Sequence, residues 1–218
     1  EFVEFPIRRP EDIDSYQPPD PHGPKRTREV KAAKKLMGDE KAVMSVVNGP
    51  FEPAWQLRGL NTFLKDIYLH PSLVEKCLEI ATNFELEVAD ELIDAGADII
   101  MVGDDYGWQQ SLIMSPNHWR KLILPRLQRV VDSIKSHGVP VVLHSDGNIT
   151  SILDDLVRTG LDGLNPIQAR CGLIPGEIKR KYPGIAQVGT VDIQHTLPFG
   201  TRAEIEEEVM NTVKTAGK

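Results

Sequence analysis

Short apolar runs, rich in β-branched residues, alternate with longer amphipathic stretches along most of the chain. Four of these runs each follow a glycine, over residues 97–102, 139–143, 161–164 and 185–188, and a fifth covers residues 42–47. A glycine that ends a helix in the left-handed conformation permits a tight turn into the next strand. Strands that alternate with helices in this way predict βαβ crossovers and therefore a parallel sheet.

The amphipathic stretches carry apolar residues at the i, i+3, i+4, i+7 spacing of a helix with one buried face. They predict helices over residues 71–95, from Ser115-Pro116 to Ile134, over residues 149–159 and over residues 201–215. Residues 1–24 contain six of the 16 prolines, so this segment is expected to be irregular apart from an extended piece over residues 2–7. An α/β domain is expected over residues 25–218.

Two architectures fit this alternation of strands and helices. The five runs are either a complete open, doubly wound sheet or five of the eight units of a (β/α)8 barrel. An open sheet that binds nucleotides should carry a glycine-rich phosphate loop after its first strand, but residues 48–51 read Asn-Gly-Pro-Phe. The pattern alone leaves both architectures open.

Composition and charge restrict the class of protein. The chain has 218 residues and a net charge of −7, which makes a nucleic-acid partner unexpected. No apolar run approaches the roughly 18 residues of a membrane-spanning helix, and no signal peptide is visible. The two cysteines, Cys77 and Cys171, do not make a disulfide framework, which is typical of a cytoplasmic protein. Neither a membrane nor a nucleic acid is therefore expected as a partner.

Candidate chemistry collects just after the predicted strands. In both architectures ligands bind at the carboxyl ends of parallel strands, and acids, amides and imidazoles occupy these positions here. The candidates are Glu52, Asp104, Asp105, Tyr106, His144, Asp146, Asn165, Gln168 and Asp192. Loops are polar in any protein, so a single residue of this kind is weak support. Their concentration on one rim is what indicates a site.

His144 and Asp146 are the sharpest pair. Alternate residues of an extended strand point to the same side, so the imidazole and the carboxylate can address one point. They suit a divalent metal such as Zn²⁺ or a carboxylate-oriented general base, whereas the alternative is that Asp146 only caps the next helix. The adjacent acids Asp104 and Asp105 are candidates for a proton donor or a substrate anchor, and the alternative is again a cap.

Several segments together resemble the uroporphyrinogen decarboxylase superfamily. They read NGPF (48–51), LRGLNTFLKD (57–66), HPSL (70–73), GDDYG (103–107), HSDGNI (144–149), GLNPIQ (163–168) and GTVDIQHTLPFGT (189–201), in the order of that superfamily. The resemblance implies a (β/α)8 barrel of the uroporphyrinogen decarboxylase type. It also implies that the chain is an internal fragment that lacks terminal strands, with residues 25–218 forming a partial barrel.

Two branches of the superfamily compete. Uroporphyrinogen decarboxylases use no cofactor, and their Phe-Asp-Ser-Trp segment corresponds to Asp104–Trp108 here. The GLNPIQ and GTVDIQHTLPFGT segments are instead similar to the corrinoid-dependent methyltransferases, including those of O-demethylase systems. Their thiol-methylating members bind zinc through a His-x-Cys pair, where this chain has His144 and Asp146. A ligand set with Asp in place of Cys is better suited to polarising an ether oxygen than to activating a thiol.

The resemblance therefore implies a methyltransferase that moves a methyl group between a small substrate and cobalamin carried by a separate corrinoid protein. Zn²⁺ would be held by His144, Asp146 and an unidentified third ligand, and Asp104 or Asp105 would supply a proton or orient the substrate. The remaining pocket residues would be Glu52, Tyr106, Asn165, Gln168 and Asp192. The alternative activity is cofactor-free decarboxylation of uroporphyrinogen. A third possibility is that the piece only binds a partner, since an open barrel exposes sheet edges and is expected to be inactive and aggregation-prone.

Overall fold

The computed structural model describes residues 4–38 and 40–217. The strands in these ranges are β1 (Met44–Asn48), β2 (Ile99–Gly103), β3 (Val141–His144), β4 (Gly163–Asn165) and β5 (Ala186–Gln187). The α-helices are α1 (Pro24–Met37), α2 (Phe51–Gln56), α3 (Leu60–Leu69), α4 (Pro71–Asp94), α5 (Pro116–Leu122), α6 (Leu124–Ser136), α7 (Leu153–Arg158), α8 (Pro175–Lys181), α9 (Thr196–Phe199) and α10 (Arg202–Ala216). Short 3₁₀ helices cover Pro10–Asp14, Thr150–Ile152 and Ala169–Cys171.

The chain divides into two compact units. The first comprises Glu1–Asp104 and Asn117–Val141, and the second comprises Asp105–Pro116 and Val142–Lys218. In the first unit β1 and β2 run parallel, with Met44 opposite Ile99 and Asn48 opposite Gly103. The long helix α4 packs against β1 and also against α1, α2, α3 and α6.

In the second unit β4 lies between β3 and β5 and is parallel to both. Val142 is opposite Gly163, His144 is opposite Asn165, and Gly163 is opposite Ala186. Helices α8 and α10 pack against each other. Parallel strands joined through helices confirm the α/β class, and the carboxyl ends of β3 and β4 carry candidate site residues.

The structure divides two of the predicted helices. The stretch from Ser115 to Ile134 forms α5 and α6, because Pro125 lies in the first turn of α6 and has no N–H to continue a helix from α5. Residues 149–159 form a 3₁₀ turn followed by α7. Helices α4 and α10 match their predicted spans closely.

The glycines before the strands have two kinds of backbone conformation. Gly96, Gly138 and Gly160 have positive φ angles of 103°, 74° and 90°, which is the left-handed conformation expected of them, whereas Gly184 is not among the positive-φ glycines. In the N-terminal segment, residues 2 and 3 of the expected extended piece lie outside the described residues, and residues 4–7 form no strand. No helix in the described ranges is both long and apolar enough to cross a bilayer.

Candidate metal centre

Three potential metal ligands converge in the second unit. Asp105, His144 and Asp146 each offer one ligand atom, and these atoms lie within 4.8 Å of one another. Nε2 of His144 is 3.9 Å from Oδ1 of Asp105, and both side chains are about one-third exposed, at 36% and 37%. The structure therefore brings together the two residues expected as ligands and places Asp105 beside them.

Two glycines bring Asp105 to the other ligands. A Cβ atom on Gly107 would lie 2.8 Å from the carbonyl oxygen of Asp146, and one on Gly147 would lie 2.6 Å from the carbonyl oxygen of Gly107. Gly147 also has a φ of +81°, which side-chain-bearing residues rarely adopt. The loop that contains Gly107 and the loop that contains Gly147 can approach this closely because neither glycine has a side chain.

Hydrogen bonds then fix the two loops together. The Tyr106 N–H donates to Oγ of Ser145 at 2.9 Å, and the Asn148 N–H donates to the carbonyl oxygen of Trp108 at 2.7 Å. The Asp146 N–H donates to Oδ1 of Asp105 at 2.8 Å. Asp105 is thus anchored to the main chain of Asp146, which defines its place in the cluster.

His144 is oriented by Asn165. Nδ1 of the imidazole lies 2.6 Å from Oδ1 of Asn165, directly across the β3–β4 pair. An amide oxygen can only accept, so the imidazole donates from Nδ1 and leaves the lone pair on Nε2, which faces Asp105. Metal-binding histidines commonly donate their second ring N–H in this way.

Asp146 is held by Gln168. Nε2 of Gln168 donates to Oδ1 of Asp146 at 3.1 Å, and Oε1 of Gln168 accepts from the Gly147 N–H at 2.7 Å. Burial and then the nearby charge of Asp105 raise the pKa of Asp146, and His144 partly opposes this shift. Asp146 does not cap the following helix, because the 3₁₀ helix Thr150–Ile152 has Ile149 as its N-cap residue and no side-chain cap hydrogen bond; the Thr150 N–H donates to Oδ1 of Asn148 at 3.1 Å.

A cavity of about 250 Å³ opens beside His144 and Asp146. Its polar walls include Gln168 and Asp192. The residues that line it are His144, Asp146, Asn165, Pro166, Ile167, Gln168, Ala169, Arg170, Cys171, Gly189, Thr190, Val191, Asp192, Ile193, Gln194 and Glu208. Asp192 thus lines the same cavity as four other expected site residues, namely His144, Asp146, Asn165 and Gln168. This cavity is the candidate binding site for a small ligand.

Asp192 has partners of its own. Partial burial opposes ionisation, but N–H groups of Gln194 and His195 and the guanidinium of Arg170 together hold the pKa of Asp192 below its ordinary value. The Asp192 N–H donates to Oε1 of Glu208 at 2.7 Å. Glu208 was missed in the sequence because an acid within the amphipathic helix α10 is indistinguishable from a solvated surface residue.

The two cysteines are both free and buried. Cys171 borders the cavity but is 3% exposed, and its Sγ lies 3.6 Å from Oε1 of Gln109. Burial, followed by the charges of Asp146 and Asp192, raises the pKa of Cys171, so the thiol form is favoured over the thiolate. Burial also raises the pKa of Cys77, whose side chain is 0% exposed, to about 11.

Asp104 and Glu52 belong to the first unit. Asp104 is 0% exposed, and its two carboxylate oxygens accept the N–H groups of Phe51 and Glu52 at 2.9 and 2.7 Å. The carboxylate packs directly on Gly49, where a Cβ would lie only 2.4 Å from Oδ2. This is the capping geometry that was the alternative for Asp104. Tyr106 is 1% exposed, so its ring is part of the packed interior.

Comparison with known proteins gives the family. The sequence profile described as uroporphyrinogen decarboxylase (URO-D) matches residues 2–218. The chain belongs to this family. It is 29% identical to the methylcobamide:CoM methyltransferase MtaA of Methanosarcina barkeri over 62% of the chain and 39% of that relative. It is also 29% identical to the uroporphyrinogen decarboxylase of Myxococcus xanthus, over 97% of the chain and 61% of that relative.

A solved structure extends the comparison to the fold. A methyltransferase from Methanosarcina mazei matches with a TM-score of 0.77 and 27% identity, over 88% of this chain and 55% of that one. The expected α/β barrel of the URO-D type is thereby confirmed as the fold class. The chain spans less than two thirds of the length of each of these relatives.

Proposed function

We propose that the protein is a methyltransferase that moves a methyl group between a small substrate and cobalamin carried by a separate corrinoid protein. The convergence of Asp105, His144 and Asp146 carries this proposal. Membership of the URO-D family supports it, as does the likeness to a relative named as a methylcobamide:CoM methyltransferase and to a methyltransferase structure. The proposed partners are therefore a corrinoid protein and a small methyl donor or acceptor.

The three residues fit a divalent metal such as Zn²⁺. Bonds of about 2.1 Å at tetrahedral angles place neighbouring ligand atoms about 3.4 Å apart. The separation of 3.9 Å between His144 and Asp105 is thus within about half an ångström of a bound geometry. Three protein ligands leave one position open, as catalytic zinc sites require. Asp105 is assigned as the third ligand in this proposal.

The chemistry follows from this ligand set. Zn²⁺ bound here would supply a Lewis acid beside the substrate atom that gains or loses the methyl group. Two carboxylates and one imidazole are harder ligands than thiolates, which suits an oxygen or nitrogen atom in the substrate better than a sulfur. Asp192 and Gln168 line the cavity where the substrate would lie. Asp104 keeps a structural role, because both of its oxygens accept N–H groups of α2.

Metal content of the full-length protein tests the first part of the proposal. We expect about one zinc per chain in the wild type and a value near zero in His144→Ala, because the imidazole is one of only three ligands. His137→Ala is the matched control, since His137 pairs with Asp90 in the first unit. A zinc content near zero in the wild type, or one unchanged by His144→Ala, would remove the metal from the mechanism.

An activity assay tests the transfer itself. Methylcobalamin is incubated with the zinc-loaded protein and, in parallel, with phenol, dimethylamine or 2-mercaptoethanol as acceptor. We expect its visible absorption to decay faster than with His144→Ala for an oxygen or nitrogen acceptor. Equal decay with wild type and variant for all three acceptors would contradict the assignment.

Decarboxylation of uroporphyrinogen is the second candidate, favoured by the long match to the Myxococcus xanthus enzyme. The charges in the described cavity argue against it. Uroporphyrinogen is a polycarboxylate, whereas Asp146, Asp192 and Glu208 line this cavity and Arg170 is already paired with Asp192. Turnover of uroporphyrinogen by the full-length protein without any corrinoid would favour the decarboxylase over the methyltransferase.

A further inference from the structure

We propose that Asn165 is a positioning residue for the metal centre, which fixes the tautomer of His144 that leaves Nε2 free to bind the metal. The inference rests on the proposed function for its metal, but the tautomer itself is a property of the metal-free protein. It replaces the substrate-binding role expected for Asn165, because the amide oxygen is engaged with Nδ1 of His144 at 2.6 Å.

The register of β3 and β4 places the His144 imidazole and the Asn165 amide next to each other. His144 and Asn165 are direct partners across β3 and β4, so their side chains leave the sheet side by side. The main chain ties the same two positions together, since the Ser145 N–H donates to the carbonyl oxygen of Asn165 at 2.8 Å. The register therefore keeps the two side chains next to each other.

Packing restricts the Asn165 amide on its other side. Gly189 has a φ of +69°, and a Cβ there would lie 2.8 Å from Nδ2 of Asn165. The amide nitrogen therefore lies close to residue 189, and the amide oxygen lies on the side of His144. A free imidazole in water prefers the opposite tautomer, so the protein must supply the preference for Nδ1–H that is implied here.

Gln168 provides an internal comparison. It contacts the other ligand, Asp146, and the Gly147 N–H, and the structure shows no hydrogen bond from it to His144. Gln168→Leu should therefore leave the His144 tautomer unchanged, whereas Asn165→Leu should alter it. A general loosening of the cavity would affect both variants alike.

The tautomer is measured by long-range ¹H–¹⁵N spectra of the metal-free, full-length protein labelled with ¹⁵N-histidine. His144→Gln assigns the signal among the six histidines of the sequence. We expect the Nδ1–H form in the wild type and in Asn165→Asp, whose carboxylate also accepts. Asn165→Leu should shift toward the Nε2–H form. An Nε2–H form in the wild type, or no change in Asn165→Leu, would overturn the proposal.

Zinc affinity, measured by competition with a chelator, gives the second readout. Asn165→Leu should weaken binding about 10- to 100-fold, as is typical when an outer partner of a metal-bound histidine is lost. Asn165→Asp should bind at least as tightly as the wild type, and Asn117→Leu, an exposed change on α5, should have no effect. An affinity of Asn165→Leu within threefold of the wild type would also refute the positioning role.

The two readouts separate the proposals. If the wild type binds no zinc but has the expected tautomer, the metal of the proposed function fails and the positioning of His144 by Asn165 stands. If Asn165→Leu does not fold, the wild-type tautomer and the Asn165→Asp variant still decide the question.

Discussion

Glu85 is a buried acid outside the proposed site, and its burial changes the pKa of its carboxyl group. It lies on the buried face of α4 with 3% exposure, and its carboxylate accepts from the N–H and the Nδ2 of Asn48 at 3.0 and 2.9 Å. Burial raises the pKa of Glu85, although the two hydrogen bonds from Asn48 and the charge of Arg26 partly oppose this. The protonated form is therefore favoured in the folded protein more than in the unfolded chain.

This shift predicts a pH dependence of stability. A raised carboxyl pKa contributes stability that is fully present below the unfolded value and is lost as the pH rises through the folded value. We expect the free energy of unfolding of the wild type to fall relative to Glu85→Gln between about pH 4 and neutrality. Urea unfolding at several pH values measures it, with Glu29→Gln as a control at an exposed position on α1. Parallel pH profiles for the wild type and Glu85→Gln would contradict the prediction.

Some contacts of the candidate site could be predicted from the sequence, and others could not. His144 and Asp146 could be paired from the sequence because the alternation of a strand is local. Asp105 could not be assigned as a third ligand, because its approach depends on contact between Gly107 and Gly147, which are 40 positions apart. The role of Asn165 depends likewise on the register of two strands. Neither contact leaves a signal in the local sequence.

At the scale of elements, local signals predicted helix ends well and helix interiors less well. Thr201 and Glu204 form a capping box at the start of α10, in which the Glu204 N–H donates to Oγ1 of Thr201 and the Thr201 N–H donates to Oε2 of Glu204. The break between α5 and α6 was missed because the apolar stripe of the predicted helix continues on both sides of Pro125. Strands β4 and β5 are shorter than their apolar runs. Hydrophobic residues indicate which positions are buried, but not which of them form hydrogen bonds to a neighbouring strand.

The capping box yields an element-scale prediction. Thr201→Ala removes the side-chain oxygen that accepts the Glu204 N–H, and loss of such a cap costs about 1 kcal/mol. Thr212→Ala, a matched change inside α10, should be neutral or slightly stabilising, because alanine has the higher helix propensity. Urea unfolding of both variants measures the difference. Equal stabilities of the two variants would show that the cap does not contribute.

At the scale of the whole molecule, metal binding and folding are linked. The three proposed ligands come from two segments of the second unit, residues 105–116 and 142–218, so the unfolded chain would not hold them together. A ligand that binds only the folded state stabilises it by about 2.7 kcal/mol at 100 times its dissociation constant. The metal-free protein is therefore expected to be the less stable form.

Thermal unfolding of the full-length protein tests this linkage. Zinc at 100 times its dissociation constant should raise Tm by a few degrees, and a chelator should reverse the shift. His144→Ala should show no zinc-dependent shift, whereas His137→Ala should respond as the wild type does. A shift of the same size in His144→Ala would place the zinc elsewhere.

The sequence by itself determined the α/β alternation, the long helix α4, the span of α10 and the pairing of His144 with Asp146. All of these depend on periodicity, caps or spacing over a few residues, so neighbouring positions in the sequence are enough to predict them. Only the tertiary structure decided that Asp105 lies beside His144 and Asp146, that Nδ1 of His144 meets the Asn165 amide oxygen and that Asp104 accepts N–H groups of α2. Each of these contacts joins residues that lie far apart in the chain, so its geometry exists only once the chain has folded.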